Sequence, residues 1–191
     1  GSYNQLHAEG MLNGALGDAL SARVAVLHNK ADGYFKNAVG PKLNEDDTMA
    51  GRIQLRLQPN ASLDAVLSAS TYQIGPMHTG AAYATAGVPD ADGLGHHLPP
   101  GSPTAFGYVD ADGDPFTGAF DNPGNIDRRQ DDVSLRIGYT FGNGIALHSV
   151  SSYSRLDSIY EEDNDLSPVP FTVFRQNADA RYVTQELRLE G

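Results

Sequence analysis

Between positions 132 and 141 every second residue is apolar or aromatic. Val133, Leu135, Ile137, Tyr139 and Phe141 alternate with Asp132, Ser134, Arg136, Gly138 and Thr140. Successive side chains of an extended chain point to opposite faces, so this pattern makes a strand with one apolar and one polar face. The same alternation runs through 49–58, where Met49, Gly51, Ile53, Leu55 and Leu57 oppose Ala50, Arg52, Gln54, Arg56 and Gln58. Near the C-terminus Val183, Leu187 and Leu189 oppose Tyr182, Thr184, Glu186 and Arg188, with Gln185 interrupting the apolar face. A further segment starts cleanly at Ile145 and Leu147 but blurs after Ser149, as a β-bulge there would cause. Weaker alternation elsewhere completes seven predicted strands: 3–13, 19–30, 49–58, 62–73, 130–141, 145–156 and 180–190. No segment carries the period of a helix.

The connections constrain the architecture further. Tight turns fall at Gly14-Ala15-Leu16-Gly17-Asp18, Pro59-Asn60-Ala61 and Gly142-Asn143-Gly144, and long loops at 31–47, 74–128 and 157–178. Short and long connections alternate strictly, so in an up-and-down meander all the long ones gather at one end. A transmembrane β-barrel is built this way, with tight inner turns and long outer loops. Strands of roughly 9–11 residues also suffice to cross the hydrocarbon core at a tilt. The expected fold is therefore all-β, an antiparallel up-and-down meander of seven strands forming part of a transmembrane β-barrel. Its apolar faces would meet lipid, and its Arg, Gln, Ser and Glu faces would line a wet lumen. Tyr139, Phe141, Tyr153 and Tyr72 fall near strand ends, where an interfacial aromatic girdle belongs.

Composition narrows what such an object meets. The chain has 24 acidic and 13 basic residues, a formal charge of −11, and a mean hydropathy of −0.37. Phosphate backbones require a basic surface, so nucleic acid is not an expected partner. There is no cysteine, which removes disulfides and thiolate metal sites. The longest uninterrupted apolar run, Val24-Ala25-Val26-Leu27, is far short of a membrane helix. Most of the acid lies in the long loops: Asp32 and Glu45–Asp47 in the first, Asp90 to Asp127 in the second, Asp157 to Asp165 in the third.

Several loop residues invite a chemical reading. "DADGDP" (110–115) places Asp110, Asp112 and Asp114 at alternate positions around a glycine, as a calcium loop does. An EF-hand needs glycine at its sixth position, but here glycine is fourth and the sixth is Pro115. A nonstandard site would recruit Asp121; the plainer reading is a solvated Asp-Gly-Pro turn. Glu161-Glu162-Asp163-Asn164-Asp165 can attract a cation, yet charges packed so densely favour water at a loop tip. His78, His96 and His97 share the longest loop and are candidates for a metal-chelate ligand, against the plainer role of polar loop histidines. Adjacent side chains of extended backbone diverge, so His96 and His97 do not converge by themselves. Arg52, Arg56, Arg136 and Arg188 all lie on polar strand faces, where they would pair with Glu186, Asp132 or an enclosed domain, or meet an anionic ligand. No G-x-S-x-G, H-E-x-x-H, P-loop or dinucleotide pattern occurs, so no enzyme and no cofactor are expected. Asn60-Ala61-Ser62 is read as a turn.

Three segments carry a family resemblance. They are "AEGMLNGALGDALSARVAVLHNKADGYFKN" (8–37), "GDPFTGAFDNPGNIDRRQDDVSLRIGYTFGNGIALHSVSSYSRLDSIYEEDNDLSPVPF" (113–171) and "QELRLEG" (185–191). In order and spacing they resemble the barrel of TonB-dependent outer-membrane receptors. The resemblance implies a 22-stranded barrel filled by a plug, in the bacterial outer membrane, importing a scarce ligand such as a ferric siderophore with energy from the TonB system. It covers an early stretch of barrel, so residues 1–191 are expected to form a partial barrel domain without plug or barrel-end signal. Its implied partners are outer-membrane lipid, the plug, the remaining strands, TonB indirectly, and a small molecule such as a metal chelate. Loop 74–128, much longer than a connection requires, is the expected place of ligand capture. Seven strands alone leave two open edges and a bare apolar face, which predicts poor behaviour in water. Two alternatives stay open: a porin-type channel, and a soluble all-β calcium-binding module.

Overall fold

Backbone pairing joins the alternating segments into one sheet. The computed structural model describes residues 2–78, 109, 114, 116–165 and 167–191. In chain order the strands are β1 (Leu6–Ala15), β2 (Leu20–Ala31), β3 (Lys36–Asn37), β4 (Asp46–Asn60), β5 (Leu63–Met77), β6 (Thr117–Gly118), β7 (Asn125–Thr140), β8 (Ala146–Asp163) and β9 (Val173–Glu190). Seven of them form one antiparallel sheet in the order β1-β2-β4-β5-β7-β8-β9, so each long strand pairs with the next. β3 and β6 form a separate two-residue parallel ladder. Among the described residues there is no α-helix, only a 3-10 turn at Ser2–Asn4 where the first strand was expected to begin. The all-β meander predicted from the alternation is the fold observed.

The register preserves the two faces across the whole sheet. One continuous row is Leu12, Val24, Ile53, Ala69, Val133, Tyr153 and Val183. The row beside it, on the opposite face, is Asn13, Arg23, Gln54, Ser68, Ser134, Ser152 and Thr184. A one-residue slip in any pair would break both rows, so the hydrophobic pattern and the ladder specify the same register. Among the described residues no second layer packs on the apolar face: Val183 is 78% exposed and Leu187 68%. The buried hydrophobic cluster is instead Phe35, Leu43 and Phe120, at the loop end. On the polar face a hollow of about 760 Å³ draws its lining from five consecutive strands, including Glu9, Leu27, Arg52, Tyr72 and Asp132. A hollow shared by five neighbours forms only where a sheet curls, so the polar face is concave.

Strand ends differ from expectation in a consistent way. At the tight-turn end they match within two residues. At the long-loop end β4 begins at Asp46, β5 runs to Met77, β7 begins at Asn125, β8 runs to Asp163 and β9 begins at Val173. The added residues, such as Asp127, Arg128 and Arg129, are polar on both faces, so the ladder continues where alternation stops. Asp46, Asp47, Asp127, Asp157, Glu161, Glu162 and Asp163 therefore lie in strands, although the sequence pattern put them in loops.

Two further expectations are corrected. β8 pairs with both neighbours without a register shift, so it has no bulge after Ser149. Its phase blurs because Ser149 and Ser151 occupy the apolar face. The shifts fall instead between Leu57 and Asn60 and between Ile74 and Met77. Tyr72 pairs with Ala50 and Gln130, which puts it on the polar face and outside any outward-facing girdle. Tyr139 and Phe141 do sit on the apolar face, in edge contact with ring centroids 4.9 Å apart.

Candidate functional site

Alternation decides which arginines reach the concave face. Arg52, Arg56, Arg136 and Arg188 all stand there, as expected, and Arg23 joins them. Alternation in 19–30 is too weak to mark Arg23 by itself, although its position next to Val24 sets its phase. Arg56 makes a two-pronged contact with Asp64, Nε to Oδ1 at 2.8 Å and Nη2 to Oδ2 at 3.2 Å. Arg188 pairs with Glu190 at 2.9 Å. Asp132 and Glu186, the partners expected for these cations, do not serve them. Asp132 accepts hydrogen bonds from Gln130 and Ser154, and Glu186 stands across the ladder from Val150.

Arg23, Arg52 and Arg136 form no ion pair among the described residues. Arg136 lies between Val66 and Val150 in the register, so no acid neighbours it directly across either ladder. A second hollow, of about 570 Å³, is lined by Arg23, Arg56, Arg136, Asp64 and Gln54 toward the tight-turn end. Three guanidiniums against one carboxylate make this part of the concave wall cationic. Such a wall can hold an acidic protein segment or an anionic solute.

The loop end is tied together by side chains of opposite loops. Asn37 and Phe120 exchange two hydrogen bonds around the buried aromatic cluster, Nδ2 to the Phe120 carbonyl at 2.9 Å and the Phe120 N–H to Oδ1 at 3.0 Å. His78 is held by Glu45, whose Oε1 lies 2.8 Å from its backbone N and 2.9 Å from Nδ1. The histidine thus anchors the base of the longest connection. His96, His97, Asp110 and Asp112 lie outside the described residues. Asp114 closes a turn, its Oδ1 accepting the Phe116 N–H at 3.0 Å and its carbonyl the Thr117 N–H at 3.1 Å.

Acidic residues converge elsewhere. Asp121, Asp163 and Asp165 bring one carboxylate oxygen each to within 4.8 Å of one another, and Asp163 and Asp165 are buried. Asp121, the remote ligand a nonstandard "DADGDP" site would recruit, is gathered instead with Asp163 at the end of β8 and Asp165 beyond it. Asp165 is already engaged by Ser167 Oγ at 2.6 Å and the Thr172 N–H at 2.7 Å, so it staples its own loop. Glu161 links two more segments through Asn122 Nδ2 at 2.8 Å and Arg175 Nε at 2.7 Å. Those two donors, Asn122 foremost, hold its carboxyl below the ordinary glutamate range.

No family model and no curated protein sequence matches the chain. A solved structure does: the ferric-catecholate import receptor Fiu of E. coli K12, in an open form, superposes with a TM-score of 0.63 over 98% of this chain at 13% identity. The chain spans 29% of that receptor's length. At so low an identity the likeness speaks to fold alone: the antiparallel meander described above is similar to a stretch of that receptor's β-structure.

Proposed function

We propose that residues 1–191 are part of a transmembrane outer-membrane barrel of the TonB-dependent receptor type, contributing lumen wall and outer loops to the import of a scarce ligand. The observation that carries this reading is the apolar row that crosses all seven strands, on which none of the described residues packs a second layer. From Val133 in β7 to Phe141 just past its end, the outward face is apolar for about 27 Å of extended chain. At a barrel strand's usual tilt this spans roughly 21 Å, close to the apolar band of outer-membrane barrels. Lipid is the natural cover for such a face, and the open edges of β1 and β9 take the remaining strands.

The concave face supports the rest. A plug domain fits against the cationic wall of Arg23, Arg56 and Arg136, with TonB acting through it. Arg52 and Arg136 suit an anionic metal chelate in transit, and the structural neighbour imports a ferric catecholate. Import of this kind needs binding and movement and no covalent step. The receptor-type neighbour favours this reading over a porin-type channel. The uncovered apolar face disfavours a soluble calcium module, whose sheet requires a second layer.

Because the chain lacks cysteine, neighbouring positions can be tested one at a time. In the complete barrel, embedded in bacterial outer membranes, Val183→Cys and Leu187→Cys are expected to resist an aqueous maleimide. Thr184→Cys and Ser134→Cys are expected to react through the lumen. Equal labelling of both sets would overturn the membrane reading.

A further inference from the structure

One hollow on the concave face lies apart from the arginines. It occupies the loop end, holds about 560 Å³, and is lined by Tyr3, Asp32, Tyr34, Glu45, Asp46 and Thr48 among others. Ala31 pairs with Asp46 and Thr48 with Ile74, and these four share the face of Arg23 and Arg52. The hollow therefore opens on the concave side. Strands added beside β1 lengthen that wall without covering it.

Its charge is one-sided. Asp32, Glu45 and Asp46 line it, and no lysine or arginine does. Neutral donors hold two of the carboxylates: Asp32 Oδ2 accepts from Asn4 Nδ2 at 2.7 Å, and Asp46 accepts from Thr48 Oγ1 at 2.7 Å and from Asn29 Nδ2. Among the described residues only His78, on Glu45, is a titratable partner of these acids. Neutral donors satisfy the oxygens and leave the negative charge in place. Oδ1 of Asn29 adds a buried acceptor with no donor among the described residues. Tyr3 and Tyr34 give the hollow aromatic walls, their rings inclined at 63° with centroids 6.3 Å apart, and the face of such a ring attracts a cation. A metal ion would need the carboxylates to converge; among the described residues only Asp121, Asp163 and Asp165 do so. Spread carboxylates around an aromatic-walled space match a larger, organic cation.

We propose that this hollow receives a positively charged amine of the imported ligand, with Asp32, Glu45 and Asp46 supplying charge and Tyr3 and Tyr34 the walls. The proposal deepens the barrel reading and rests on it. Carboxylates and ring faces together replace the water that an ammonium group gives up on entering. Arg52 stands six residues along β4 from Asp46, roughly 20 Å away in extended chain. The positive and negative parts of one ligand thus meet separate places on the wall, and the ligand class this wall selects carries both charges.

The test measures binding of two soluble probes to the complete barrel in mild detergent by ligand-observed NMR. The probes are benzyltrimethylammonium and the neutral benzyl alcohol. The wild type is expected to bind the ammonium more tightly than the alcohol. Asp32→Asn should weaken the ammonium about fivefold, one ion pair's worth at a wet site, and leave the alcohol unchanged. Tyr34→Leu should weaken it about two- to fivefold, whereas Tyr34→Phe, which keeps the ring and loses the hydroxyl, should retain it. An ammonium bound no more tightly than the alcohol, affinity untouched by both Asp32→Asn and Tyr34→Leu, or displacement by calcium at matched ionic strength overturns the proposal. If Tyr34→Leu does not fold, Asp32→Asn alone decides, since Asp32 is exposed and its one side-chain hydrogen bond joins surface groups. Failure of the barrel reading is separate: it shows as aqueous labelling of Val183→Cys.

Discussion

Asn37 and Phe120, 83 positions apart, exchange two hydrogen bonds that join the loop after β2 to the segment before β7. Both residues are buried, beside the Phe35–Phe120 ring contact at 5.4 Å. The parallel β3–β6 ladder adds backbone pairing at the same point. Asn37→Ala would strand a buried N–H and a buried carbonyl, each at a cost of about 1–3 kcal/mol. Hydrogen exchange at Lys36, Ala38 and Gly118 is expected to quicken by about tenfold or more, with the long strands unaffected. Unchanged protection would mean the aromatic cluster alone holds the loops together.

Gly75 has φ +80°, and a Cβ there would lie 2.0 Å from the Ile126 carbonyl oxygen. It sits at the register shift between Ile74 and Met77. Gly75→Ala is expected to destabilise the chain by roughly 1–3 kcal/mol, read as a lower urea midpoint for the folded barrel in detergent. Gly14→Ala, where a Cβ meets nothing within 4 Å, is the matched control and should be close to neutral.

Glu161 gives the loop end a pH dependence. Its carboxyl is held below the ordinary range by Asn122 and Arg175, so folding favours its charged form. A lowered folded-state value means this stabilisation is complete above about pH 4.3, the unfolded value. It is lost as pH falls through the folded value. Proteolysis of the 116–124 segment is expected to rise on acidification in the wild type. In Glu161→Gln the Glu161-dependent part of that rise should be absent; an identical pH profile would assign the effect to other carboxylates.

Gln185 interrupts the outward apolar face, and the structure supplies it with partners. It accepts from Ser151 Oγ, and its Nε2 donates to Ser149 Oγ at 3.1 Å. On the proposed membrane reading this face meets lipid, where a polar group needs its hydrogen bonds made, and these two serines are also what blurs the alternation of β8. Gln185→Leu alone is expected to cost about 0.5–2 kcal/mol. Combined with Ser149→Ala and Ser151→Ala it should cost less than the separate changes summed. Additive losses would show that the three side chains act independently.

Sequence by itself determined the seven strands, their pairing order, the two faces, and the sorting of short and long connections to opposite ends. Period-two alternation carries that information because it follows from local backbone geometry wherever one side of a strand is wet and the other is not. Tertiary structure alone decided how far the strands run past the band. There Asp127, Arg129, Asp131, Asp157 and Asp179 face water, alternation disappears, and only the hydrogen-bonded ladder marks the strand. It also decided the partners, Asp64 for Arg56, Glu45 for His78 and Phe120 for Asn37, and the gathering of Asp121 with Asp163 and Asp165. Those contacts depend on register and on the path of the loops. The placement of Arg155 directly opposite Arg181 is of the same kind, since 26 positions of sequence separate two cations that the ladder sets side by side.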